Sequence, residues 1–207
     1  VQADIAAVRE ILERHQPNAE IHLGGVPMVA SDMIDFVRSD IGVFGIGVAL
    51  FLVVLLSISF KRPRWVILPM FVCGVAGIGM MGYLGLVDWR VTVVSSNFIS
   101  LMLILTLSLA VHLIVRYEEL NQERADLDHV GKIEETIRSK VTPSLFTALT
   151  TMVAFASLIF SGIRPVMDFG WMMVIGVAMA LVLAFVLFPM GLAILKPSTA
   201  VFRRVDL

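Results

Sequence analysis

Five stretches of this chain, residues 41–60, 65–87, 91–115, 141–163 and 169–195, run without a single Asp, Glu, Lys or Arg. A hydrocarbon layer about 30 Å thick is crossed by roughly 20 residues of apolar helix, and each stretch has about that length. The pattern reads as an all-α membrane protein with five transmembrane helices. Composition agrees: 58% of the residues are hydrophobic and the mean hydropathy is +0.90. A soluble domain is about half apolar, with its apolar residues dispersed at helix or strand period. The net charge of −1 points to no class of partner. The one cysteine, Cys73, lies in an apolar stretch, so it builds no disulfide framework.

Basic residues set the expected orientation, because Lys and Arg gather in cytoplasmic loops. Eleven of the sixteen lie in the turn after the first stretch, the loop 116–140 and the tail 196–207. The other five are Arg9, Arg14, Arg38, Arg90 and Arg164, on the alternate side. Residues 1–40 are therefore expected outside and the C-terminus in the cytoplasm. Trp65, Trp89 and Trp171 fall near span ends, where amphipathic rings favour the interface.

Two segments lie outside the spans. In 116–140, Tyr117, Leu120, Leu127, Val130, Ile133 and Ile137 recur at helical spacing, with seven acids on the other faces. This predicts an amphipathic helix along the cytoplasmic surface, although a solvated loop helix without function has the same pattern. In 1–40, residues 5–14 form an amphipathic pattern, Pro17-Asn18 breaks it, and 20–23 alternate like a short strand before Gly24-Gly25. About forty residues bury too little surface to fold alone, and they carry no cleavable signal pattern. They read as the end of an α+β domain, and the chain as part of a longer protein.

Polar groups inside the spans are the candidate functional residues. The third stretch holds Ser95, Ser96, Asn97, Ser100, Thr106, Ser108 and His112, several of them at steps of four. Such a stripe on a lipid-bounded helix is expected to turn toward protein or a wet path. Imidazole is the group that titrates near neutral pH, so His112 is a candidate proton carrier; one turn from Arg116, it also suits the interface. The fourth stretch carries Ser144, Thr147, Thr150, Thr151 and Ser157. Such hydroxyls bond back to their own helix carbonyls or hold a neighbour. The glycines of the second stretch read as close helix packing, and the pairs Met80-Met81 and Met172-Met173 as adaptable core. The four His and one Cys show no metal spacing, and phosphate-cradling loops and nucleophile elbows are missing. No enzyme, cofactor or nucleic-acid partner is expected.

Three ordered motifs carry a family resemblance. Leu109-Ala110-Val111-His112-Leu113-Ile114-Val115-Arg116-Tyr117-Glu118-Glu119 resembles the end of the fourth membrane helix of resistance-nodulation-division (RND) exporters. It is most similar to the branch holding the lipid exporters (MMPL), the hopanoid transporters and Patched. Thr142-Pro143-Ser144-Leu145-Phe146-Thr147-Ala148-Leu149-Thr150-Thr151 resembles the opening of the fifth helix, and Arg164-Pro165-Val166-Met167-Asp168-Phe169-Gly170 that of the sixth. The resemblance implies helices two to six of one half, a sterol-sensing-domain-like bundle. Residues 1–40 would then close a periplasmic porter-type domain, 41–195 form the bundle and 196–207 a cytoplasmic tail.

It further implies proton-driven export of lipids or other hydrophobic molecules across a bacterial inner membrane. The other half of the same transporter would be a partner, with a homo-oligomer possible. The transport and proton-relay candidates are Asn97, Ser100, Thr106, Ser108, His112, Thr147 and Thr151. One position departs from the family: Ser108 stands where these exporters usually hold an Asp, and a serine carries no proton at useful pH. The alternative is a sterol-sensing-like lipid-binding or accessory module that transports nothing.

Overall fold

The computed structural model describes residues 2–15, 23–60, 63–89, 91–92, 97–124 and 126–194. Among them the chain is helical and has no strand: α1 (Gln2–His15), α2 (Val26–Phe60), α3 (Arg64–Leu86), α4 (Phe98–Glu123), α5 (His129–Ala156), a short 3-10 helix (Ser157–Phe160) and α6 (Arg164–Ile194). α3, α4, α6 and the run from α5 through the 3-10 helix are long and apolar enough to cross a membrane. α2 supplies the fifth apolar stretch, centred on Gly45–Ile58. The expected all-α membrane bundle of five apolar helices is what the chain forms.

The helix boundaries differ from the expected ones for physical reasons. Charge at Arg38 and Asp40 sets the apparent start of the first span at 41, but charge does not stop a helix. α2 begins at Val26, with Pro27 in its first turn, where the missing amide hydrogen costs nothing. It continues through the polar residues into the apolar ones, so the boundary expected at 40/41 lies inside one helix. The third span starts at Phe98 instead of 91, with Asn97 at the cap position and no side-chain bond to the helix; short polar residues favour such positions over interiors. The short strand expected at 20–23 falls mostly outside the described residues; Leu23 is in no strand.

The segment 116–140 is not one surface helix. α4 carries on to Glu123, the chain turns, and α5 begins at His129 and runs unbroken into the fourth span. The turn has a local cause: the Asp128 carboxylate accepts from the Gly131 amide at 2.8 Å and satisfies an orphan donor of the new helix. The apolar stripe persists across the turn because both helix ends pack on the same bundle.

α4 is the central helix, with 50% of its apolar stretch buried against 11% for α5. One core cluster joins Leu56, Trp65, Val72, Leu113, Tyr117 and Phe188 at the end where α2 stops and α3 starts. A second joins Ala76, Met80, Phe98, Met102, Met172 and Val177 toward the other end. The methionine expectation holds for Met80, Met172 and Met173, all fully buried; Met81 is exposed. Trp65, expected at the lipid interface, is 1% exposed and packs edge-on to Tyr117 with ring centres 5.7 Å apart. Of the α3 glycines only Gly77 and Gly79 meet a neighbouring helix; Gly74, Gly82 and Gly85 face open space. The close approach is elsewhere. A Cβ on Gly170 of α6 would lie 2.8 Å from the Phe155 carbonyl oxygen of α5, so only glycine lets these helices cross there.

Candidate functional site

The polar residues of the third span divide between two faces of α4. Ser100 and Thr106 point into the bundle, 6% and 0% exposed. The Thr106 hydroxyl donates to the Met102 carbonyl at 2.7 Å, so its polarity is satisfied within its own turn. Ser108 and His112 lie one turn apart on the opposite, exposed side, with Ile104 and Val115. Asn97 stands exposed just ahead of the helix, and Ser95 and Ser96 lie outside the described residues. A step of four residues drifts about 40° around a helix, so one ladder read from the sequence winds from the inner face at Ser100 to the outer face at Ser108 and His112.

On α5 the hydroxyls behave as their helical setting dictates. Thr147 donates to Pro143 O at 3.0 Å, Thr150 to Thr147 O at 2.9 Å and Thr151 to Thr147 O at 2.8 Å. Pro143 has no amide hydrogen to offer its helix, and Thr147 ties the next turn to its carbonyl. Ser144 is buried with Ala148, whereas Thr147 is exposed and Thr151 half-buried. Among the described residues no hydrogen bond joins the α4 candidates to Thr147 or Thr151. One polar link between the two helices comes lower down, from Arg116 Nε to the Ser139 hydroxyl at 3.3 Å.

A second polar group lies where α3 begins, α4 ends and α6 reaches its last described turns. Arg64 on α3 is 3.6 Å from Glu118 on α4, with side chains 22% and 7% exposed. The guanidinium sits 4.8 Å from the centre of the Trp65 ring, within the range of cation–π attraction. Tyr117 reaches across α4, and its hydroxyl lies 2.9 Å from His129 Nδ1. The other ring nitrogen, Nε2, is 2.9 Å from the Leu192 carbonyl of α6. In the turn between α4 and α5, Arg124 pairs with Asp126 at 3.0 Å and holds that carboxyl below its usual range by hydrogen bonding.

Sequence reasoning missed this group. Asp126-Leu127-Asp128-His129 resembles a solvated acidic patch, and His129 lies 63 residues from its α6 partner. The one available signal was the Asp128 cap, which places His129 at a helix start. Among the described residues no three His, Cys, Asp or Glu gather to hold a metal.

Comparison with known proteins follows the same outline. The sequence profile of the MMPL family matches residues 1–203. A protein of Methanocaldococcus jannaschii, whose name assigns it to membranes and to no activity, is 25% identical over 179 residues. These take in 84% of this chain and 44% of the relative, so the chain spans less than half the length of the curated protein it matches.

Proposed function

The chain belongs to the MMPL family, and from that premise we propose that it is half of an RND-type transporter that exports lipids or other hydrophobic molecules at the expense of the proton gradient. It is a multi-pass membrane protein. Its proposed setting is a bacterial inner membrane, with residues 1–40 outside and the C-terminus in the cytoplasm, as the basic residues suggest.

One observation carries this reading. α4 is more buried than α3, α5 or α6, yet Ser108 and His112 face away from the bundle. Polar and titratable groups within a membrane turn toward protein or water, so this face calls for a second bundle, supplied by the other half of the same transporter or by a second copy. His112 is the titratable side chain on that face and takes the proton role. Ser108 and Asn97 line the approach, while Thr106, Thr147 and Thr151 serve the helices that carry them.

The test uses the full-length protein in liposomes under an imposed proton gradient, with a fluorescent phospholipid as probe. We expect His112→Ala to cut gradient-driven lipid movement at least about ten-fold, the equivalent of about 1.4 kcal/mol, and Ser108→Ala or Asn97→Ala to reduce it, with unchanged elution profiles. Normal transport by all three variants would remove this site from the mechanism. The residue at position 108 supports a second reading, a lipid-binding accessory module, since no carboxylate stands there. Binding of the same phospholipid without gradient-driven movement would establish that reading instead.

A further inference from the structure

A groove of about 440 Å³ separates the first two turns of α3 from the last described turn of α6. Its floor is Leu68, which is buried and lies so close over Gly191 that a Cβ there would be 2.2 Å from Leu68 Cδ1. Its walls are Ile67 and Phe71 of α3 and Ile194 of α6, all exposed. Arg64 lines the end nearest the start of α3. From Arg64 to Phe71 the helix rises about 10 Å. The groove is thus apolar along its length and cationic at one end.

We propose that this groove holds one anionic phospholipid, its phosphodiester at Arg64 and an acyl chain lying over Leu68 between Ile67, Phe71 and Ile194. The walls exclude a free phosphate as the natural occupant, since it would leave them bare. An acyl chain covers them, and a guanidinium matches phosphate oxygens with its planar fork of N–H donors.

Charge selects the headgroup. Glu118 on α4, 3.6 Å from Arg64, offsets the guanidinium in part, but it is the more deeply buried of the two and lies outside the groove's lining. By sequence, the three residues that join α2 to α3 add Lys61 and Arg62 and no acid. The α6 wall, Gly191 and Ile194, carries no charge. A basic pocket between membrane helices attracts anionic lipid, whereas the ammonium of a zwitterionic headgroup would stand among like charges. The inference holds under either reading of function, because binding requires no gradient.

The experiment places the full-length protein in phosphatidylcholine nanodiscs with a trace of phosphatidylglycerol bearing a photoreactive acyl chain. After irradiation, mass spectrometry compares labelling of the groove peptides, 64–71 and 187–194, with labelling around Val153 and Val182, which are exposed elsewhere on the bundle. The groove is expected to take up roughly five-fold more label, the worth of one basic residue at an anionic lipid. The same chain on a phosphatidylcholine headgroup should label groove and reference alike. The double variant Arg64→Gln/Glu118→Gln removes both charges and strands neither, and its ratio should fall to that of the phosphatidylcholine probe. Arg64→Lys keeps the charge and should keep the preference. Equal labelling of groove and reference by the phosphatidylglycerol probe, the same ratio for both headgroups, or an unchanged ratio in the double variant would each overturn the proposal. So would a groove labelled less than the reference, the mark of another part of the protein filling it.

Discussion

Thr106, Thr147, Thr150 and Thr151 each give their hydroxyl hydrogen to a carbonyl three or four residues back on their own helix. Polarity used in this way needs no partner helix, which is why hydroxyl residues are tolerated at membrane depth. This much was legible in the sequence, because the bond requires only helical spacing. Gly170 makes the opposite case. Its need for glycine comes from the Phe155 carbonyl on the preceding helix, and no local pattern announces that crossing. Gly170→Ala must push apart two backbones, neither of which has a side-chain rotamer to yield. We expect it to lower stability by about 1–3 kcal/mol, measured as a drop in thermal midpoint in detergent. His129 was illegible for the same reason: its partners are a tyrosine on one helix and a carbonyl on another, joined only by the fold.

Elements were easier to count than to delimit. The apolar stretches mark where a helix meets hydrocarbon, but helices end where capping groups end them, and these are different places in this chain. α4 and α5 each extend beyond their apolar parts and meet in a turn of a few residues. The periodic stripe of Tyr117, Leu120, Ile133 and Ile137 suggested one helix because both arms bury that stripe on the same bundle. Asp128 is the residue that divides them, and it could have been weighted as a cap. Asp128→Ala removes the acceptor for the Gly131 amide and is expected to cost about 1 kcal/mol. Hydrogen exchange should show the loss confined to residues 129–133, with the membrane part of α5 unchanged.

For the whole molecule, the family match over residues 1–203 and the five apolar helices agree with what composition and motifs implied. The outward turn of Ser108 and His112 could not be read from the sequence, since it depends on which face of α4 the other helices occupy. α2 also departs from expectation, running 35 residues without a break. At 1.5 Å per residue it is about 52 Å long, far beyond the roughly 30 Å of hydrocarbon. Spin labels at the exposed positions Val29 and Ile58, in a Cys73→Ala background, should give a single narrow distance near 44 Å, the span of 29 residues of rigid helix; a short or broad distribution would mean the rod is broken. A stiff rod held in the membrane at one end is a lever. A tilt of about 10° in its embedded part would swing the far end by about 9 Å over that length, so small rocking inside the bilayer becomes a large stroke beyond it.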